Sequence, residues 1–270
     1  MKIRILAAVV LLPLLLLVLL ALPSWGTGIL LSLMCAVGAY ELLYGTGLVK
    51  HPRILAYSML TAFLVGIWCT FGRSHVWGVA GAFIFCCLLF SEMLLSKAKL
   101  RFEKVLVAVA AGLLIPYLLC ALVRIRTMEL GAYYILIPFA MAFLPDSGAY
   151  FVGVFFGKRP LAPTISPKKT VEGFFGGIAG GVIGMVIFGL VLTFGFHLKV
   201  NYLYAVIYGV LGALASVLGD LTFSVIKRQT GVKDYGNIIP GHGGVLDRFD
   251  SMTVVGPLAE ILLILLPFAE

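Results

Sequence analysis

The sequence predicts an all-α, polytopic membrane protein of about nine transmembrane helices with its N-terminus in the cytoplasm. Three observations carry that expectation. Apolar residues make up 61% of the 270 and charged ones 12%, at a mean hydropathy of +1.10, and a soluble domain of this length needs far more polar surface. Apolar runs of the length that crosses a bilayer, about 20 residues, recur along the whole chain. The basic residues also sort to one side of the membrane when those runs are counted.

The runs fall near 4–22, 26–45, 53–71, 75–95, 104–126, 131–157, 171–195, 201–222 and 251–269. The first follows MKIR and imitates a signal peptide. It lacks a convincing small-x-small cleavage site, so it reads as the first span. Nine alternating spans place sixteen of the twenty Lys and Arg on the N-terminal side and leave only Arg73, Arg124, Arg126 and Lys199 on the other. Such a bias marks the basic side as cytoplasmic. Trp25, Trp68 and Trp77 lie close to span ends, where aromatic belts form. Cys35, Cys69, Cys86, Cys87 and Cys120 sit inside apolar runs without metal-ligand spacing, which suits small buried hydrophobes. The net charge of +8 suits anionic headgroups and nucleotide phosphates. Short loops without interleaved aromatics exclude nucleic acid.

The chain divides into a scaffold of spans, 1–126, and a chemistry-bearing part, 127–270, within one integrated membrane domain. In the first part Glu41 and Glu92, near cytoplasmic span ends, either serve a polar cavity or reach the interface, and the structural or interfacial reading is the favoured one. In the second part the polar residues cluster. Asp146 lies more than two turns inside the sixth run with Tyr150 one turn further on, and an ionisable residue at that depth is a functional candidate. Ser166 followed by Pro167 reads as the cap and first residue of the seventh helix. That reading puts Lys168 and Lys169 in its first turn, where the helix dipole opposes cations unless an anion binds there. Gly173, Gly177 and Gly181, with Gly176, Gly180 and Gly184 beside them, form small-xxx-small faces for helix packing. Asp220, Ser224 and Lys227, spaced four and three, line one face of the eighth helix.

The densest polar stretch, Ser224–Asp250, holds Lys227, Arg228, Lys233, Arg248, Asp234, Asp247, Asp250 and His242 around a Gly/Pro turn. Glycines at 243 and 244 permit close approach of backbone N–H groups to a phosphate. Carboxylates on Asp220, Asp247 and Asp250 suit Mg²⁺, which prefers to be shared with substrate phosphates. Together these residues imply phosphoryl or nucleotidyl transfer at the lipid surface. A different membrane-embedded transferase and, from another class, a secondary transporter remain open on the residues alone.

The run Ser224, Lys227, Arg228, Lys233, Asp234, Gly236, Pro240, His242, Gly243, Gly244, Asp247, Arg248, Asp250 resembles the signature of the phosphatidate cytidylyltransferases. The likeness extends to Asp146 with Tyr150, to Ser166–Glu172 and to Asp220, covering about the C-terminal half. Val171 departs from it, since the family often has an aromatic there. The resemblance implies transfer of the cytidylyl group of CTP to phosphatidate, giving CDP-diacylglycerol and pyrophosphate, in the cell (inner) membrane with the site facing the cytoplasm. It implies Asp220 and Asp247 as Mg²⁺ ligands, with Asp250 and Asp146 as further candidates and a second cation left open. Asp220, Asp247, Lys227, Arg248 and His242 are then the catalytic set. Ser166, Lys168, Lys169, Ser224, Arg228, Lys233, Asp234, Gly243 and Gly244 are the substrate-binding set. Expected partners are CTP, phosphatidate and membrane lipids, with a homodimer left open.

Overall fold

The computed structural model describes residues 2–72, 74–96, 100–239, 241 and 243–269. Among them, seven helices are long and apolar enough to cross a membrane. In chain order the helices are α1 (Lys2–Ala21), α2 (Ser24–Gly45), α3 (Pro52–Phe71), α4 (His75–Leu95), α5 (Phe102–Arg126) and α6 (Gly131–Phe156). A short hairpin follows, β1 (Pro160–Ala162) and β2 (Ser166–Thr170), and then α7 (Val171–Phe196) and α8 (Tyr202–Gln229). The four-residue α9 (Leu246–Phe249) and α10 (Met252–Leu265) complete the order. The chain is therefore an all-helical polytopic membrane protein apart from the hairpin. α10, expected as a full span over 251–269, is 14 residues long with Pro257 inside it, short of the ~20 residues that cross the hydrocarbon unaided.

The chain forms two compact units. One contains residues 1–132 and 227–249, the other 133–226 and 250–270. The signature stretch, C-terminal in sequence, thus folds largely with the N-terminal helices.

In the first unit α2 packs closely on α3 because small residues face hydroxyls. A Cβ at Gly66 would collide with Ser32, and one at Gly28 with Thr70. The two hydroxyls bond back to their own helices, Ser32 Oγ to Gly28 O and Thr70 Oγ1 to Gly66 O, both at 2.7 Å, so neither is stranded in the apolar contact. Leu31, Leu43, Ile54, Phe85 and Leu122 fill the core. Arg126 closes the exposed end of α1, donating to Leu19 O and Leu22 O at 3.0 and 3.3 Å, which satisfies carbonyls that a helix end leaves open. Trp77, 75% exposed, stands where an interfacial aromatic belongs.

In the second unit the glycine faces bring α6 and α7 into backbone contact. Gly148 lies against Gly176 and Gly180, and Gly181 against Gly209 of α8. The start of α7 differs from the sequence expectation. Ser166–Thr170 is a strand, paired antiparallel to β1, and Thr170 caps the helix by accepting the Gly173 N–H at 3.1 Å. The physical reason is visible in the charges. Glu172 in the first turn suits the helix dipole and also accepts the N–H groups of Lys158 and Arg159 at 3.0 and 3.2 Å. Lys168 and Lys169, moved onto a strand, escape that dipole and point to opposite faces.

Gly148→Ala would place a methyl 2.6 Å from the Gly176 carbonyl oxygen, an overpacking expected to cost about 1–3 kcal/mol. Gly81, with open space around its Cα, is the control. In detergent the melting temperature of Gly148→Ala falls, while that of Gly81→Ala stays at or slightly above the parent value.

Candidate active site

α8 ends as helices commonly do, with a left-handed glycine. Gly231 has φ 72°, and Val232 donates to Lys227 O at 3.0 Å, closing the last turn. The chain then runs through an irregular loop to α9. Gly243, at φ 86°, takes a conformation that side chains disfavour, and its carbonyl accepts the Ile239 N–H at 2.9 Å.

Asp247 organises this loop. Its side chain is 3% exposed, and its Oδ1 accepts Lys227 Nζ at 2.9 Å. Its Oδ2 accepts the backbone N–H of Tyr235 at 2.8 Å and of Gly244 at 3.0 Å. Lys227 also lies over the Tyr235 ring, 5.3 Å from its centroid, a cation–π contact that adds to the ion pair. Asp234 adjoins Gly243 at the loop surface. Arg228, Lys233 and Arg248 are exposed.

Two of these positions have internal partners. Asp247, expected as a metal ligand, gives both oxygens to protein donors. Gly244, expected to offer its N–H to a phosphate, gives it to Asp247. The Gly244 amide lies three residues before Asp247 and the Tyr235 amide twelve, and both fall within reach of the one carboxylate oxygen. His242 and Pro240 lie outside the described residues.

The second unit holds another charged set. Lys169 of β2 forms an ion pair with Asp220 of α8, both about one quarter exposed. Asp146, one residue after the in-helix Pro145, accepts Ser216 Oγ at 3.4 Å, and Lys169 and Asp220 both act on it electrostatically. Ser224 follows one turn beyond Asp220, half-buried, whereas Tyr150 is 66% exposed. Ser166 and exposed Lys168 remain on the hairpin. Asp250 is buried, its Oδ1 accepting the Ser251 N–H at 2.7 Å.

Among the described residues no three His, Cys, Asp or Glu side chains gather as a metal-binding group. Asp146 and Asp220 nevertheless suit Mg²⁺ by donor chemistry, because that ion takes one or two carboxylates and completes its shell with water and phosphate oxygens. Lys169 already meets at Asp220 the electrostatic demand that a divalent cation would meet.

No sequence pattern singles out Ser216 or Tyr235, and none assigns Glu41 or Glu172 a definite role. Glu41 carried a weak signal, an acid inside an apolar run. Tyr235 participates through its backbone N–H, which no side-chain pattern reveals.

Apolar spanning helices, a buried Lys227–Asp247 pair and exposed cations on the same loop have the make-up of an integral membrane enzyme for anionic substrates. The chain matches the model of the cytidylyltransferase family over residues 2–266, and it belongs to that family. It is 37% identical over 241 residues to the phosphatidate cytidylyltransferase of Bacillus subtilis, an alignment covering 88% of each chain. It is 46% identical over 134 residues to the phosphatidate cytidylyltransferase of Staphylococcus haemolyticus, covering 50% of each chain. The Staphylococcus aureus enzyme of the same name gives 46% over 139 residues, covering 52% of each.

Removing Lys227 leaves the buried Asp247 carboxylate without its counter-charge, which costs about 3–5 kcal/mol. Lys227→Met is therefore expected to lower thermal stability sharply. In a double-mutant cycle, adding Asp247→Asn recovers part of the loss, and the melting temperature of the double variant lies above the sum of the two single effects.

Proposed function

We propose that this protein transfers the cytidylyl group of CTP to phosphatidate, releasing pyrophosphate and leaving CDP-diacylglycerol in the membrane. The carrying observation is the loop fixed by Asp247, in which Lys227 is held by a buried carboxylate and Arg228, Lys233 and Arg248 reach solvent. Family membership and the name of the Bacillus subtilis relative support the same substrates.

In this reading a phosphatidate phosphate oxygen attacks the α-phosphorus of CTP in line. The new P–O bond forms as the bond from that phosphorus to the oxygen bridging to the β-phosphorus breaks, and the electron pair leaves with pyrophosphate. The attacking group is already anionic near neutral pH, so no strong base is required. The protein's task is positioning and charge neutralisation. Arg228, Lys233 and Arg248 neutralise the phosphates. Lys169, with Lys168 and Ser166 on the same hairpin, supplies a second cationic surface. Asp146 and Asp220 would hold a Mg²⁺ ion, which would supply charge stabilisation for phosphate oxygens. When substrate phosphates arrive, Lys169 is free to exchange Asp220 for a phosphate oxygen.

The basic residues support a topology of nine spans with the N-terminus and the charged loops in the cytoplasm, where nucleotides are found. α10 then crosses as a shortened helix with Pro257 inside it.

Purified protein with labelled CTP, phosphatidate and Mg²⁺ is expected to yield a labelled lipid and pyrophosphate, and chelation of divalent ions to abolish turnover. Asp220→Asn and Asp146→Asn should each lower kcat by about 100-fold or more, in line with the loss of a charge-stabilising group. Absence of labelled lipid from the unaltered protein would overturn the assignment. Full activity in both variants would remove the metal reading. For topology, Thr164→Cys, at an exposed position in the turn between β1 and β2, is made in a cysteine-free background. Its thiol should react with an impermeant maleimide only after the membrane is opened.

A further inference from the structure

Glu41 lies 205 residues before Leu246 in the chain and outside every stretch that carries the chemistry, yet it is 1% exposed and committed to the signature loop. It opens the π-helical turn Glu41–Gly45 that ends α2. Turns of that kind insert an extra residue and redirect a side chain, and they concentrate at functional sites. Oε1 accepts the Val245 N–H at 3.0 Å and Oε2 the Leu246 N–H at 2.8 Å. These are donors at the entry to α9 that no helical carbonyl can reach. One carboxylate takes both.

The fit is close from both sides. A Cβ at Gly236 or at Gly244 would collide with the Glu41 carboxylate, and one at Gly45 with the Tyr235 carbonyl. Loop glycines are therefore shaped to a side chain from α2. Leu246 itself reaches the α2 backbone at Gly38, 3.7 Å from where a Cβ would stand.

We infer that Glu41 is a positioning residue for the transfer reaction. It fixes residues 245 and 246, so that Asp247 meets Lys227, Tyr235 and Gly244, and it thereby sets the direction in which Arg248 and its neighbours face an anionic substrate. The inference rests on the transferase reading and extends it to a scaffold helix.

The test uses full-length protein in lipid nanodiscs, comparing the parent with Glu41→Gln, Glu41→Ala and Glu92→Gln. Glu92 is the control, a buried carboxylate in the same unit that bonds instead to Arg53 and Tyr57. Amide hydrogen exchange is read without substrate, and kcat and KM for CTP are read with it. Loss of a hydrogen bond to a charged acceptor corresponds to roughly 10- to 100-fold. Exchange over 243–249 should rise by at least about tenfold in Glu41→Gln and further in Glu41→Ala. The kcat should fall in the same order by about 10- to 100-fold, with KM changed by less than about threefold. Glu41→Gln keeps one acceptor of the same reach, so it carries the test if Glu41→Ala does not fold. Unchanged exchange over 243–249 in Glu41→Gln overturns the inference, and so does a parent-like kcat beside raised exchange. A parent that forms no labelled lipid overturns the transferase reading instead, while the exchange measurement still decides whether Glu41 holds the loop.

Discussion

An irregular loop folded against other elements buries backbone N–H groups that no helix or sheet ladder satisfies, and each one left unpartnered costs about 1–3 kcal/mol. The loop after α8 meets this constraint with carboxylates. Asp247 takes the amides of Tyr235 and Gly244, and Glu41 takes those of Val245 and Leu246. Four demands of a non-helical backbone are met by two side chains, and Lys227 balances the charge that one of them brings in. The glycines follow from the same constraint, because carboxylates can reach those amides only where no Cβ intervenes.

The second unit solves a related problem with an ion pair and side-chain hydrogen bonds. Lys169 meets Asp220, and Ser216 meets Asp146. Glu172 secures the chain entering β1 through the amides of Lys158 and Arg159. A cation held against a carboxylate in this way has already lost much of its side-chain freedom. Preorganisation of this kind is how a site whose chemistry is mainly electrostatic gains rate.

The long apolar runs, the basic bias of alternate loops and the glycine faces of α7 were readable because each depends on local composition or on helical period. Asp146, Lys169, Asp220, Lys227 and Asp247 stood out as candidates because charge in an apolar chain is costly. Their partners were not. The pairing of Lys169 with Asp220 depends on the hairpin, and the hairpin was hidden because Ser-Pro followed by two lysines also satisfies the rules for a helix start.

The sequence by itself determined the class of fold, the family and the set of residues that carry charge, since hydropathy and a long contiguous motif survive without coordinates. Only the tertiary structure decided that the signature loop folds with the N-terminal helices, that Asp247 spends its oxygens on Lys227 and two amides, and that Glu41 completes the loop. Those outcomes follow from contacts between backbone amides and side chains far apart in the chain. No periodicity encodes such contacts, because every residue except proline offers the same N–H.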